Sequence, residues 1–153
     1  MKKTITAIVL IVTLCIALSE VNAGTLIRIT NDNNNYWGPT LTSKGHLYFE
    51  RDEEDERPIL MYWNGQKIIT VQGNVDYTPE RNLIDGESII YLVFPDPEES
   101  YTDLYLFDGT KSTKINPLNI TDVSRPTMNK TYIAFAGYVE AEGTYQIFLY
   151  KRK

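Results

Sequence analysis

Apolar and polar positions alternate along most of this chain with the period of a β-strand. His46-Leu47-Tyr48-Phe49, Ile89–Phe94 and Tyr132-Ile133-Ala134-Phe135 are short runs rich in aromatic and β-branched residues, the composition of half-buried strands. Beyond residue 24 no 11-residue window carries the 3.6-residue period of an amphipathic helix. The pattern predicts an all-β fold of many short strands.

The strands are spelled more than once. "LMYWNGQKII" (60–69) and "LYLFDGTKSTKI" (104–115) share an aromatic-aliphatic run, a turn pair (Asn64-Gly65 or Asp108-Gly109) and a second run. "IFLYKRK" (147–153) repeats the first of these runs. Upstream of each stands an extended piece, a polar turn and an alternating strand: "PTLTSKGHLYFE" (39–50), "RNLIDGESIIYL" (81–92) and "PTMNKTYIAFAG" (126–137). Leu60, Leu104 and Ile147 are spaced about 44 residues apart, a period typical of propeller blades built from four strands each. Repeats of approximately 24–66, 67–110 and 111–153 follow. A β-sandwich also has regular short strands and is the competing architecture.

"PTMNKTYIAFAGYVEAEGTYQIFLY" resembles a TolB-type, WD-like β-propeller repeat, with a Pro-led strand, a polar turn, an "IAF"-like strand, a charged loop and an "IYLY"-like strand. The third unit is the most similar and the first the least. The usual Ser-Pro-Asp-Gly turn is reduced to Ser43-Lys44-Gly45, Asp85-Gly86 and Asn129-Lys130. The resemblance implies a propeller and a periplasmic or cell-envelope setting. It brings no partner with it, since no interaction segment matches, and fold alone does not carry function.

With the strands of a blade lettered a to d, "TLIRIT" (Thr25–Thr30) resembles the d strands "KIITV" and "STKIN". The chain then runs abcd, abcd and abc, so an N-terminal strand is expected to complete the last blade. Three blades are fewer than the four to eight of closed propellers. Two copies would make a six-bladed ring, each lending Thr25–Thr30 to the other; a monomeric arc or a fragment of a larger propeller are the alternatives.

Residues 1–23 have the layout of a secretory signal peptide: Lys2 and Lys3, an apolar run from Ile5 to Leu18, and a small-residue exit at Ala23. The run is short for a spanning helix of about 20 residues, so no stable membrane insertion is expected after cleavage. Cys15 leaves with the leader, because Leu14 precedes it where lipid attachment wants a small residue. The remainder, residues 24–153, is one domain without cysteine, exported to the periplasm or outside the cell with no disulfide. Its sequons at Asn119 and Asn129 matter only in a eukaryotic secretory path, and the leader looks bacterial. The whole chain carries a net charge of −5, and loss of Lys2, Lys3 and Glu20 leaves it more acidic still. Such a surface repels phosphate backbones, which excludes nucleic acid.

In blade topology the b–c loops share one face. Here all three are acidic: "ERDEEDER" with Asp52, Glu53, Glu54, Asp55 and Glu56; "PDPEESYTD" with Asp96, Glu98 and Glu99; and "YVEAEGT" with Glu140 and Glu142. They are the candidate surface for a protein partner, steered by charge, although charged hairpin loops are also ordinary solvated turns. Trp37, near the rim before Pro39, is the candidate for stacking on a sugar, whereas Trp63 is expected to pack. "NDNNN" offers side-chain carbonyls, but no stretch has calcium-loop spacing, and no metal or cofactor is expected. The single histidine, His46, leads a strand and is read as structural, with no G-x-S-x-G elbow to support a triad. The sequence thus describes an exported, non-enzymatic scaffold that binds a protein through acidic loops. A carbohydrate-binding module using Trp37 comes second, and a glycoside hydrolase using loop carboxylates third.

Overall fold

The computed structural model describes residues 25–53, 56–76, 83–96, 98 and 100–153, so the predicted leader lies outside it. By its contacts the chain divides after Asn31. In the N-terminal segment, Thr25–Thr30 belongs to no strand. Leu26 is 97% exposed and Ile27 67%, and Arg28 Nε donates to the Thr30 carbonyl at 2.7 Å. The strand expected there is absent because no ladder holds its backbone groups in extended pairing.

The compact unit, Asp32–Lys153, is all-β. Its eleven described strands are β1 (Tyr36–Leu41), β2 (Leu47–Arg51), β3 (Ile59–Trp63), β4 (Ile68–Gln72), β5 (Ile84–Asp85), β6 (Ser88–Val93), β7 (Asp103–Phe107), β8 (Ser112–Lys114), β9 (Ile120–Met128), β10 (Tyr132–Val139) and β11 (Thr144–Lys151). They form three antiparallel meanders in chain order: β1-β2-β3-β4, β5-β6-β7-β8 and β9-β10-β11. The abcd, abcd, abc grouping read from the sequence is therefore the observed strand grouping. Among the described residues no helix is long and apolar enough to cross a membrane.

The repeated turn pairs are physically the same device. Asn64 Oδ1 accepts from the amides of Gln66 and Lys67, and Asp108 Oδ1 accepts from those of Thr110 and Lys111. Each is followed by a glycine at positive φ, +89° at Gly65 and +95° at Gly109, where an L side chain is disfavoured. Register then makes positions equivalent. Glu50 pairs with Leu60, Leu92 with Leu104, and Ala136 with Ile147.

The sheets stack in chain order. Tyr48, Leu60 and Tyr62, on the back of the first sheet, bury against Ile89, Tyr91 and Phe107 on the front of the second. Ile90, Leu92 and Leu104, on the back of the second, bury against Ile133, Phe135 and Phe148 on the front of the third. The middle sheet is thus covered on both faces, which is why β6 reads as a continuous apolar run and not an alternating one. The stack is open. On the back of the third sheet Tyr145, Ile147 and Leu149 are 53%, 80% and 67% exposed. On the front of the first sheet, Tyr36 packs edge-on against buried Phe49, while Leu47, Trp63 and Ile68 are half-buried.

Candidate functional site: an acidic loop end

Backbone hydrogen bonds bring the three b–c loops to one end of the stack. The connection after β4 runs beside both the first and second loops: Val75 N donates to Pro58 O at 3.1 Å, Asp76 N to Leu92 O at 3.1 Å, and Phe94 N to Asn74 O at 3.0 Å. Arg57 of the first loop lies over the Phe94 ring of the second, 3.1 Å from its centroid. Likewise Val123 N donates to Thr102 O at 3.0 Å and Thr102 Oγ1 to Val123 O at 2.5 Å. That clasp sets the end of the second loop beside β9, whose Ile120 pairs with Val139 at the start of the third loop.

Most of the predicted acidic residues reach solvent there. Asp52, Glu56, Asp96, Glu98, Glu140 and Glu142 are exposed. Glu53 is half-buried and paired with Arg51 at 2.5 Å, which removes it from the free acidic surface. Glu54, Asp55 and Glu99 lie outside the described residues. Asp103 is buried and neutralised by Lys114 at 2.6 Å, with Asn116 donating to it at 2.9 Å. Trp37 is 60% exposed on β1, opposite Glu50 in the ladder. Among the described residues no group of three or more His, Cys, Asp or Glu side chains is placed to hold a metal ion.

Glu50 was not singled out by the sequence pattern. It is only 8% exposed, and its Oε1 has no hydrogen-bond partner. Burial, reinforced by the negative charges of Asp52 and Asp76, pushes its carboxyl up from 4.5 to about 7. The signal was present: Glu50 follows Tyr48 by two positions, on the inward face, where the equivalent residues are Leu92 and Ala136. A carboxyl at an apolar repeat position was the clue. Asp76, which Glu50 senses, was missed for want of any motif.

The opposite end is stitched rather than open. Glu87, in the β5–β6 turn, gathers groups from the first sheet. Thr42 Oγ1 donates to its Oε1 at 3.0 Å and Tyr62 OH to its Oε2 at 2.6 Å. His46 Nδ1 lies 2.6 Å from the same Oε2, and Tyr48 OH donates to the Glu87 carbonyl at 2.5 Å. Burial pushes the Glu87 carboxyl up, but the bonds from Tyr62, His46 and Thr42 outweigh it and hold the group below its ordinary range. Burial and that carboxylate raise Tyr62. His46 therefore joins two sheets through its Nδ1, which meets both Glu87 and the Tyr62 hydroxyl. Between the second and third sheets Arg152 does similar work, bonding Asp85 at 2.6 Å, Ser88 at 2.9 Å and the Asn129 carbonyl at 2.8 Å.

Comparison with protein-family models, curated proteins and solved structures gives no match.

Proposed function

We propose that the three sheets are consecutive blades of a propeller-type arc, similar to TolB-type repeats, and that the chain is an exported, non-enzymatic scaffold. It binds a basic surface of a protein partner through the acidic loop end. The observation that carries this is the asymmetry of the two ends. One is tied together by Glu87 and Arg152; the other gathers exposed carboxylates from three loops onto a framework fixed by backbone hydrogen bonds. The leader pattern supports a periplasmic or extracellular setting. In the fuller form of the proposal two copies close a six-bladed ring, with Thr25–Thr30 of each copy becoming the fourth strand of the other's third blade.

The test is binding of a labelled oligolysine peptide to the full chain across a salt series. Binding that weakens severalfold with salt, and is lost when Asp52, Glu56, Asp96 and Glu98 become amides, is the expected result. Salt-independent binding, or none, defeats the acidic-face proposal. A second reading, a carbohydrate-binding module, is favoured by the exposure of Trp37. Quenching of its fluorescence by neutral oligosaccharides, unaffected by salt, would identify that case. Glycosidase activity abolished by Glu50→Gln would replace both with the hydrolase.

A further inference from the structure

We propose that the back of the third sheet is the seat for the front of the first sheet of a second copy of this chain, with Leu149 of one copy against Trp63 of the other. The inference rests on the propeller-arc proposal above and gives the ring its contact surface. The chain makes the same kind of interface twice, back of the first sheet on front of the second, and back of the second on front of the third. Two faces of that repeating scheme are left over. One is the back of the third sheet; the other is the front of the first.

The residues on the leftover faces follow from the register. Leu60 and Leu104 are equivalent, so Trp63 stands in the first sheet where Phe107 stands in the second, and Leu149 in the third where Tyr62 stands in the first. Tyr62 and Phe107 meet across the first interface with ring centroids 5.6 Å apart. Continuing the stack by one step sets Leu149 against Trp63 of the second copy. The surface itself is built for cover. Tyr145, Ile147 and Leu149 project from one side of an eight-residue strand, and no described strand pairs with its outer edge. A groove of about 200 Å³ runs beside them, lined by Met128, Tyr132 and Ala134 among others. An exposed apolar edge strand of this length is an association site unless something covers it. The front of the first sheet offers Leu47, Trp63 and Ile68 as the complementary apolar surface. The charges beside the two faces already have partners, Arg51 with Glu53 on the first sheet and Asp122 with the Tyr145 hydroxyl on the third. The contact is head-to-tail, and two copies close it when their combined rotation completes the circle. Six blades lie within the range that does so.

The experiment is the mass of the full chain by light scattering, together with a directed cross-link. The expected mass is that of two chains. Ile147→Glu and Leu149→Glu, both at exposed positions, should each reduce it to one while far-UV circular dichroism stays unchanged. In a Cys15→Ser background, Leu149→Cys mixed with Trp63→Cys and treated with a short bismaleimide should give a covalently linked pair, because each thiol adds across one maleimide, and either variant alone should give none. A single-chain mass for the unsubstituted protein overturns the inference, as does a dimer insensitive to both glutamates or one that fails to cross-link. Larger open assemblies that still cross-link keep the docking surface and overturn closure at two. Oligolysine binding by the Ile147→Glu chain separates the two proposals. If it persists while the dimer proves absent, only this inference falls; if the dimer stands without binding, only the acidic-face proposal does.

Discussion

Glu50 faces Leu60 across β2 and β3 in the place where the second sheet pairs Leu92 with Leu104. A carboxyl thus occupies a position that the repeat otherwise fills with an apolar side chain, and its Oε1 is left without a partner. Leu at this position should raise stability by about 1–3 kcal/mol at pH 8, the cost of an unsatisfied buried polar group. Urea unfolding of Glu50→Leu against the unsubstituted chain measures it. A variant less stable at pH 8 would show that the carboxyl is holding something in place.

The same group predicts a pH dependence of definite sign. Its folded value, about 7, lies above the ordinary 4.5. Between those values the folded chain holds a proton that the unfolded chain has lost, so this group makes stability fall as pH rises from 4.5 to 7. Unfolding midpoints at pH 5 and pH 8 should differ less in Glu50→Leu than in the unsubstituted protein. An unchanged difference would mean that other groups dominate this window.

Glu87 should behave in the opposite sense. Its folded carboxyl is held below the ordinary 4.5, so its contribution is complete above that value and lost as pH falls through the folded one. Glu87→Gln keeps the shape but removes the charge that Tyr62 and His46 bond, and should cost about 1.5–3 kcal/mol at pH 7. A cycle with Tyr62→Phe checks the mechanism. Additive losses would deny the coupling that the 2.6 Å contact implies.

The third sheet depends on one missing side chain. A Cβ on Gly137 would strike Ile120 Cγ2, with Phe148 and Phe135 just beyond. Gly137→Ala should therefore destabilise by about 1–3 kcal/mol through overpacking, despite the gain in strand propensity. A calorimetric scan showing an unshifted or raised midpoint would mean that Ile120 moves aside freely.

The acidic loops should lose order when the Arg57–Phe94 stack between them is removed. Phe94→Leu takes away the ring under Arg57 and should cost about 0.5–2 kcal/mol. Hydrogen exchange at the amides of Val75, Asp76 and Phe94, which tie the loops together, should quicken. Unchanged protection there would place the rigidity in the backbone bonds alone.

Much of this protein was determined by its sequence. Period-two alternation, with repeated Asn-Gly and Asp-Gly turns, specifies strands and hairpins through local sterics and short-range hydrogen bonding, so the grouping into four, four and three strands could be read directly. The acidity of the three b–c loops was equally plain. What the tertiary structure decided are long-range matters. It showed that β1 and β5 bond their neighbours while Thr25–Thr30 joins no strand, because a fourth strand needs a ladder that local sequence cannot supply. It also assigned His46 to a stitch centred on Glu87, separated from it by 41 positions in the chain. Glu53 left the free acidic surface for Arg51, and Glu50, unremarkable in an acidic run, became the buried carboxyl beside Leu60. Those outcomes depend on which faces of which sheets meet. Except for the local Arg51–Glu53 pair, that is set by packing between elements apart in the chain, where a pattern of two-residue period is silent.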